Sequence, residues 1–147
     1  MPTIRRDTPA DHPALHAIWR RSVEATHHFL TMPEIDALAP LVEQLLGSGA
    51  LTVWVLVSEE GEPIGWMGMD GAKLEALFLD PDRRRQGHGR RLVEHAIRLH
   101  GTVMLDVNEQ NPDAVRFYEA MGFTVTGRSP LDGQGKPFPL LRMWRRG

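Results

Sequence analysis

Five arginines and two glycines crowd the nine residues from Arg83 to Arg91, in a chain whose formal net charge is only -2. The run lies between an apolar stretch, Leu77 to Leu79, closed by Asp80-Pro81, and a segment in which Leu92, Val93, Ala96 and Ile97 recur at helical spacing. A strand that ends, a polar loop, and a helix that begins near Gly87 with small residues in its first turn bring unpaired backbone N–H groups to the positive end of a helix dipole. Such a cup binds phosphate. A Cβ at Gly87 or Gly89 would hold a phosphate away from the backbone, while Arg84, Arg85, Arg90 and Arg91 supply charge-assisted hydrogen bonds from the rim. Two familiar phosphate loops fail on spacing. No G-x-x-x-x-G-K-[ST] run occurs, and the third glycine position of the dinucleotide fingerprint holds Leu92.

The remaining chemistry is bounded by what the chain lacks. It has no cysteine, which excludes disulfides, a thiolate nucleophile and Cys-ligated metal, and fits a reducing, cytoplasmic setting. Its seven histidines show no H-E-x-x-H spacing, and the adjacent His27-His28 pair is a poor two-ligand site, so no metal is expected. With 19 acidic against 17 basic residues, the chain has no overall pull toward nucleic acid. No apolar run approaches the roughly 20 residues that span a bilayer. At 147 residues and 41% hydrophobic, residues 1–147 are expected to form a single domain around one core.

The elements that must position the arginine-glycine run follow from periodicity. A short strand at 3–6 precedes helical spacing over 9–24 (Leu15, Ile18, Trp19, Val23) and 34–46 (Ile35, Leu38, Leu41, Val42, Leu45). The runs at 51–57, 63–70 and 73–79, separated by EEGE and Asp70-Gly71, read as an antiparallel meander. A helix from Gly87 to the stop at Gly101 leads to a strand at 102–107. A short helix, with Asn111 as cap and Pro112 at its first position, then precedes two closing strands. The order predicts a mixed α/β fold of seven strands and four helices.

Within this order, Arg84-Arg85-Gln86-Gly87-His88-Gly89 matches the R/Q-x-x-G-x-G/A signature of the GCN5-related N-acetyltransferase (GNAT) family. Asn111-x-x-Ala114-x-x-Phe117-Tyr118 with Gly122-Phe123 resembles that family's second conserved block. The resemblance covers essentially the whole chain. The segments THHFL, VNEQN and GRSPLDGQGKPFPLL are similar to a bacterial subgroup of poorly defined acceptor. His88 departs from the family pattern, standing where an apolar residue is usual.

The resemblance implies a GNAT fold whose mostly antiparallel sheet splays between the fourth and fifth strands. It also implies direct transfer of an acetyl group from acetyl-CoA to a primary amine in a ternary complex, without a covalent enzyme intermediate. The diphosphate would lie on Arg84, Arg85, Gln86, Gly87, His88, Gly89, Arg90 and Arg91, and the pantetheine arm would pair with backbone around Leu77, Phe78 and Leu79, with Asn111 close by. Tyr118, the chain's only tyrosine, occupies the family's general-acid position; it also fits the apolar face of its helix beside Ala114 and Phe117. Glu75, an acid within an apolar strand and expected to share side-chain direction with Lys73, Leu77 and Leu79, is the candidate base; an exposed strand face explains it equally well. His27, His28, Trp66 and Asn108 are candidates for the acceptor side. The acceptor would be a small-molecule amine or a peptide or protein amine, taken by a monomer or homodimer. Two other functions compete: a non-catalytic acyl-CoA-binding regulatory module, and a nucleic-acid-binding domain using Arg83 to Arg91.

Overall fold

The computed structural model describes residues 1–26, 29–83 and 86–146. Seven strands form one sheet: β1 (Thr3–Arg6), β2 (Thr52–Val57), β3 (Pro63–Asp70), β4 (Lys73–Leu79), β5 (Val103–Asn108), β6 (Thr124–Ser129) and β7 (Leu140–Arg145), in the spatial order β1-β2-β3-β4-β5-β7-β6. Every neighbouring pair is antiparallel except β4 with β5. The helices are α1 (His12–Thr26), α2 (Met32–Ser48), α3 (His88–His100) and α4 (Pro112–Ala120). No helix among the described residues is long and apolar enough to cross a membrane.

The sheet buries both faces, as strand alternation requires when helices lie on each side. Leu15, Ile18, Trp19 and Val23 of α1, with Ile35 and Leu46 of α2, pack on Val53, Val55, Val57, Trp66 and Ala76. On the opposite face Leu92, Val93 and Ala96 of α3 and Tyr118 of α4 pack on Leu56, Met67, Met69, Leu74, Val103, Leu105, Val107 and Met143. Trp66 is fully buried, and its Nε1 donates to the Leu15 carbonyl at 2.9 Å.

Helix starts depart from the periodicity reading where side chains cap them. The second helix begins at Met32 rather than Glu34, because Thr31 is the N-cap and Glu34 its reciprocal partner at the third position of the first turn: the Glu34 amide donates to Thr31 Oγ1 at 3.3 Å and the Thr31 amide to Glu34 Oε1 at 2.8 Å. The first helix begins at His12, after a 3-10 turn over Pro9–Asp11. Asp11 anchors that turn by a two-pronged pair with Arg5 of β1, at 2.8 and 3.0 Å, and by accepting from the Thr8 amide at 2.7 Å. The Arg5 hydrogen bonds hold the Asp11 carboxyl well below the usual carboxylate range.

Candidate functional site

Two irregularities on β4 create an opening in the sheet. Against β3, Gly68 faces Ala76 and Met69 faces Leu74, so Glu75 is an extra residue with no partner across the ladder. A one-residue bulge reverses the alternation of everything before it. Leu74 accordingly shares a face with Leu77 and Leu79, all packed toward α3 and α4, while Ala76 and Phe78 pack toward α1 and α2. Of the three residues expected to share the side-chain direction of Glu75, Leu77 and Leu79 turn to the α3 and α4 face, while Lys73 stays beside it: the Glu75 carboxylate takes the Lys73 ammonium at 3.1 Å, and the same ammonium reaches Asp106 of β5 at 3.2 Å. Both contacts, that with Glu75 foremost, raise the Lys73 pKa.

The second irregularity follows at once. β4 and β5 pair in parallel at Lys73 with Met104 and Leu74 with Leu105, and beyond those two rungs they part. From Ala76 to Leu79, β4 is paired on its β3 side and has no strand on the other. Its free edge is a row of main-chain donors and acceptors able to take an extended ligand as a further strand.

A cleft of about 340 Å³ lies at the end of this edge, lined by Leu79, Arg83, Gly87, His88, Gly89, Arg90, Phe117, Ala120 and Met121. Gly87 caps α3 in the left-handed conformation, φ 77°, with no side-chain cap, and the first amide to find a helical acceptor is that of Arg91, bonded to the Gly87 carbonyl at 3.1 Å. Among the described residues no side chain caps the preceding amides of the first turn, and no acidic side chain lines the cleft. The two glycines differ in their reason. A Cβ at Gly87 would meet nothing within 4 Å, so glycine is required there by backbone conformation, whereas a Cβ at Gly89 would stand 3.2 Å from both Leu79 Cδ1 and Phe117 Cζ. Gly89 lets α3 approach β4 and α4.

The other expected residues divide. His88 is buried, 6% exposed, with Nε2 3.1 Å from Gln86 Oε1 and Nδ1 without a partner. Burial first, and then Arg91 and Arg83, lower its pKa. Arg90 lines the cleft. Arg91 is turned elsewhere, its guanidinium donating to the Pro2 carbonyl at 2.9 Å, which corrects its assignment to the rim. Asn111 caps α4, its side chain accepting from the Ala114 amide at 3.3 Å.

Leu77 and Leu79 offer the free β4 backbone; Phe78 does not, since Asp80 two residues on donates its amide to Ile64 of the β3 side at 2.9 Å and strand alternation turns the Phe78 main chain the same way, toward Trp66, with its ring 5.4 Å from that of Trp66. Trp66 itself, fully buried with its indole N–H spent on Leu15, cannot touch an acceptor, and that assignment is corrected. Asn108 spends its side-chain oxygen on the Gln110 amide at 2.8 Å. His27, His28, Arg84 and Arg85 lie outside the described residues.

Tyr118 is 7% exposed, its ring packed edge-on to Phe117 at 5.1 Å and Phe123 at 5.6 Å. It belongs to the core, as the apolar reading of its helix expects, and it adjoins Phe117, which lines the cleft. Burial pushes its phenol pKa up, so it keeps its proton. Residues that sequence reasoning passed over are Arg83, which lines the cleft, and Ala120 and Met121, which share a helix face with Phe117 at three- and four-residue spacing. That spacing was the available signal. Opposite the cleft, the connection after α1 meets the β6–β7 loop, with the Phe29 and Phe138 rings 5.8 Å apart.

Comparison with known proteins agrees with this geometry. The model of the acetyltransferase (GNAT) family matches residues 13–123. The chain is 49% identical over 143 residues to the peptidyl-lysine N-acetyltransferase YjaB of Salmonella typhimurium, covering 97% of each. Its fold superposes on the solution structure of apo-form YjaB from Escherichia coli with a TM-score of 0.91 at 45% identity, covering 100% of this chain and 99% of that one. At the level of fold alone, it also matches the PaiA N-acetyltransferase of Thermoplasma acidophilum in complex with coenzyme A, with a TM-score of 0.80 at 18% identity over 100% and 99% of the two chains. The chain belongs to the GNAT family of acetyltransferases and is an N-acetyltransferase.

Proposed function

We propose that residues 1–147 act as one transferase domain in the cytoplasm, moving the acetyl group of acetyl-CoA directly onto the side-chain amine of a lysine in a protein. The observation that carries the reading is the two-rung pairing of β4 and β5, which leaves the β4 edge free beside a cleft floored by glycine and unpaired helix amides. The donor set fits the coenzyme: first-turn amides of α3 with Arg83 and Arg90 for the diphosphate, and main chain near Leu77 and Leu79 for the pantetheine arm. Bound there, acetyl-CoA supplies an activated thioester carbonyl. A β4 amide aimed at that carbonyl would stabilise the charge that develops on its oxygen.

The chain's own groups then handle two protons. Glu75, at the bulge and within hydrogen-bond reach of an ammonium already, takes the proton of the incoming amine. Tyr118 donates to the leaving sulfur. A phenol held protonated by burial has its proton available but is a weak acid, so it can donate only from a place against the sulfur, as negative charge builds there. A lysine acceptor is supported by the name of the 49% identical relative, a peptidyl-lysine N-acetyltransferase. The nucleic-acid reading loses support from Arg91, whose guanidinium is turned to the Pro2 carbonyl, and from a chain with 19 acidic against 17 basic residues. Thiol release from acetyl-CoA, measured against lysine peptides and a panel of small amines, tests the proposal. Turnover confined to small amines would overturn the acceptor assignment, and coenzyme binding without turnover on any amine would favour a regulatory module.

A further inference from the structure

The carboxylate assigned as base is not held by the β-ladder, because Glu75 is the unpaired residue of the bulge. It is held by an ammonium. Lys73 lies 3.1 Å from Glu75 and 3.2 Å from Asp106, and Arg142 of β7 reaches the other oxygen of Asp106 at 3.4 Å. The cluster straddles the last rungs before the two strands part, with Glu75 on one lip of the gap and Asp106 on the other. The choice of cation is informative, since the chain has 2 lysines against 15 arginines. A compact ammonium with three donors can serve two carboxylates on different strands at once, whereas a planar guanidinium favours one carboxylate held two-pronged.

We propose that Lys73 is a positioning residue for acetyl transfer, its ammonium tying Glu75 to Asp106 across the mouth of the gap and so fixing where the base stands. The proposal rests on Glu75 being the base. The charged groups around Glu75 among the described residues are Lys73 on its own strand, Asp106 on β5, Arg142 beyond it on β7, and Asp70 on β3, which pairs with Lys73. With the ammonium removed, Glu75 and Asp106 face each other as like charges, with Arg142 alone to compensate.

The test compares Lys73→Met, Lys73→Arg and Glu75→Gln in the full chain, with a blocked lysine peptide as acceptor and rates followed across pH. Lys73→Met is expected to lower kcat about tenfold at neutral pH and to displace the acid limb of kcat/KM, while the coenzyme Kd stays within twofold. Lys73→Arg should recover only part of kcat, because a guanidinium favours one of the two carboxylates. Adding Asp106→Asn to Lys73→Met should return the acid limb toward its original place, by removing the like charge, without restoring kcat. An unmoved acid limb in Lys73→Met overturns the proposal. Glu75→Gln separates the two assignments. If it keeps full rate and the acid limb, the base reading fails; if it is slow while Lys73→Met behaves as wild type, the positioning role alone fails.

Discussion

The two sides of the gap between β4 and β5 are built on different principles. The α3–α4 side is a cleft of backbone and close packing: a left-handed glycine, a glycine pressed to within a Cβ of Leu79 and Phe117, and amides left open by a helix start. The opposite side carries ionic side chains, Lys73, Glu75, Asp106 and Arg142, and two loops that meet at Phe29 and Phe138. The first kind of site tolerates almost no change of residue and serves a ligand of fixed shape. The second can be re-charged residue by residue while the fold stands.

That contrast makes unequal mutational effects the point to test. The largest is expected at Gly89→Glu, which places a Cβ 3.2 Å from two side chains and a negative charge beside the phosphate cup; coenzyme binding followed by calorimetry should fall by more than about 100-fold. Normal affinity in that variant would remove the cleft from the site. Tyr118→Phe keeps the packing against Phe117 and Phe123, and is expected to slow transfer about 100-fold with the coenzyme Kd within twofold. A loss of affinity instead would make Tyr118 a binding residue.

Smaller effects sharpen the boundary of the acceptor side. Trp66→Phe removes the donor to the Leu15 carbonyl and should cost about 1–3 kcal/mol of stability in denaturant unfolding, leaving the acceptor KM unchanged. A raised KM at intact stability would return Trp66 to the acceptor side. The smallest effect lies farthest from the gap. Asp11 has a folded pKa below its unfolded value of about 3.9, so its contribution is full above that pH and declines as the pH falls toward the folded value. Thermal melts of Asp11→Asn should show a loss of about 1 kcal/mol at pH 7 that vanishes in strong acid. A loss of equal size at both pH values would contradict the ion-pair account.

The same contrast explains what could be read from the sequence. Gly87 was legible because a helix start in the left-handed conformation demands particular backbone, and Gly89 because a close approach leaves no room for a Cβ; demands of that kind leave a short, local signature. The strand and helix order was legible because apolar spacing records which faces are buried. Glu75 was visible as an acid in an apolar strand, but its direction was not. A bulge is fixed by the register of a neighbouring strand, and nothing in KLEALFL marks where Gly68 and Met69 fall against it. Arg91 was misassigned for a related reason: its partner, the Pro2 carbonyl, is 89 residues away in sequence. Trp66 stood as a candidate for the acceptor side until burial and a helix carbonyl claimed its indole.

Two rungs are all that join the halves of the sheet through hydrogen bonds between β4 and β5. An extended ligand lying along Ala76 to Leu79 would do more than occupy a site: it would complete an interrupted lattice and stitch the meander to the closing hairpin. Deuterium uptake at the outward amides of 76–79 should therefore drop when coenzyme A is added, and the melting temperature should climb with its concentration, making thermal protection a gauge of cofactor loading before any acceptor is known.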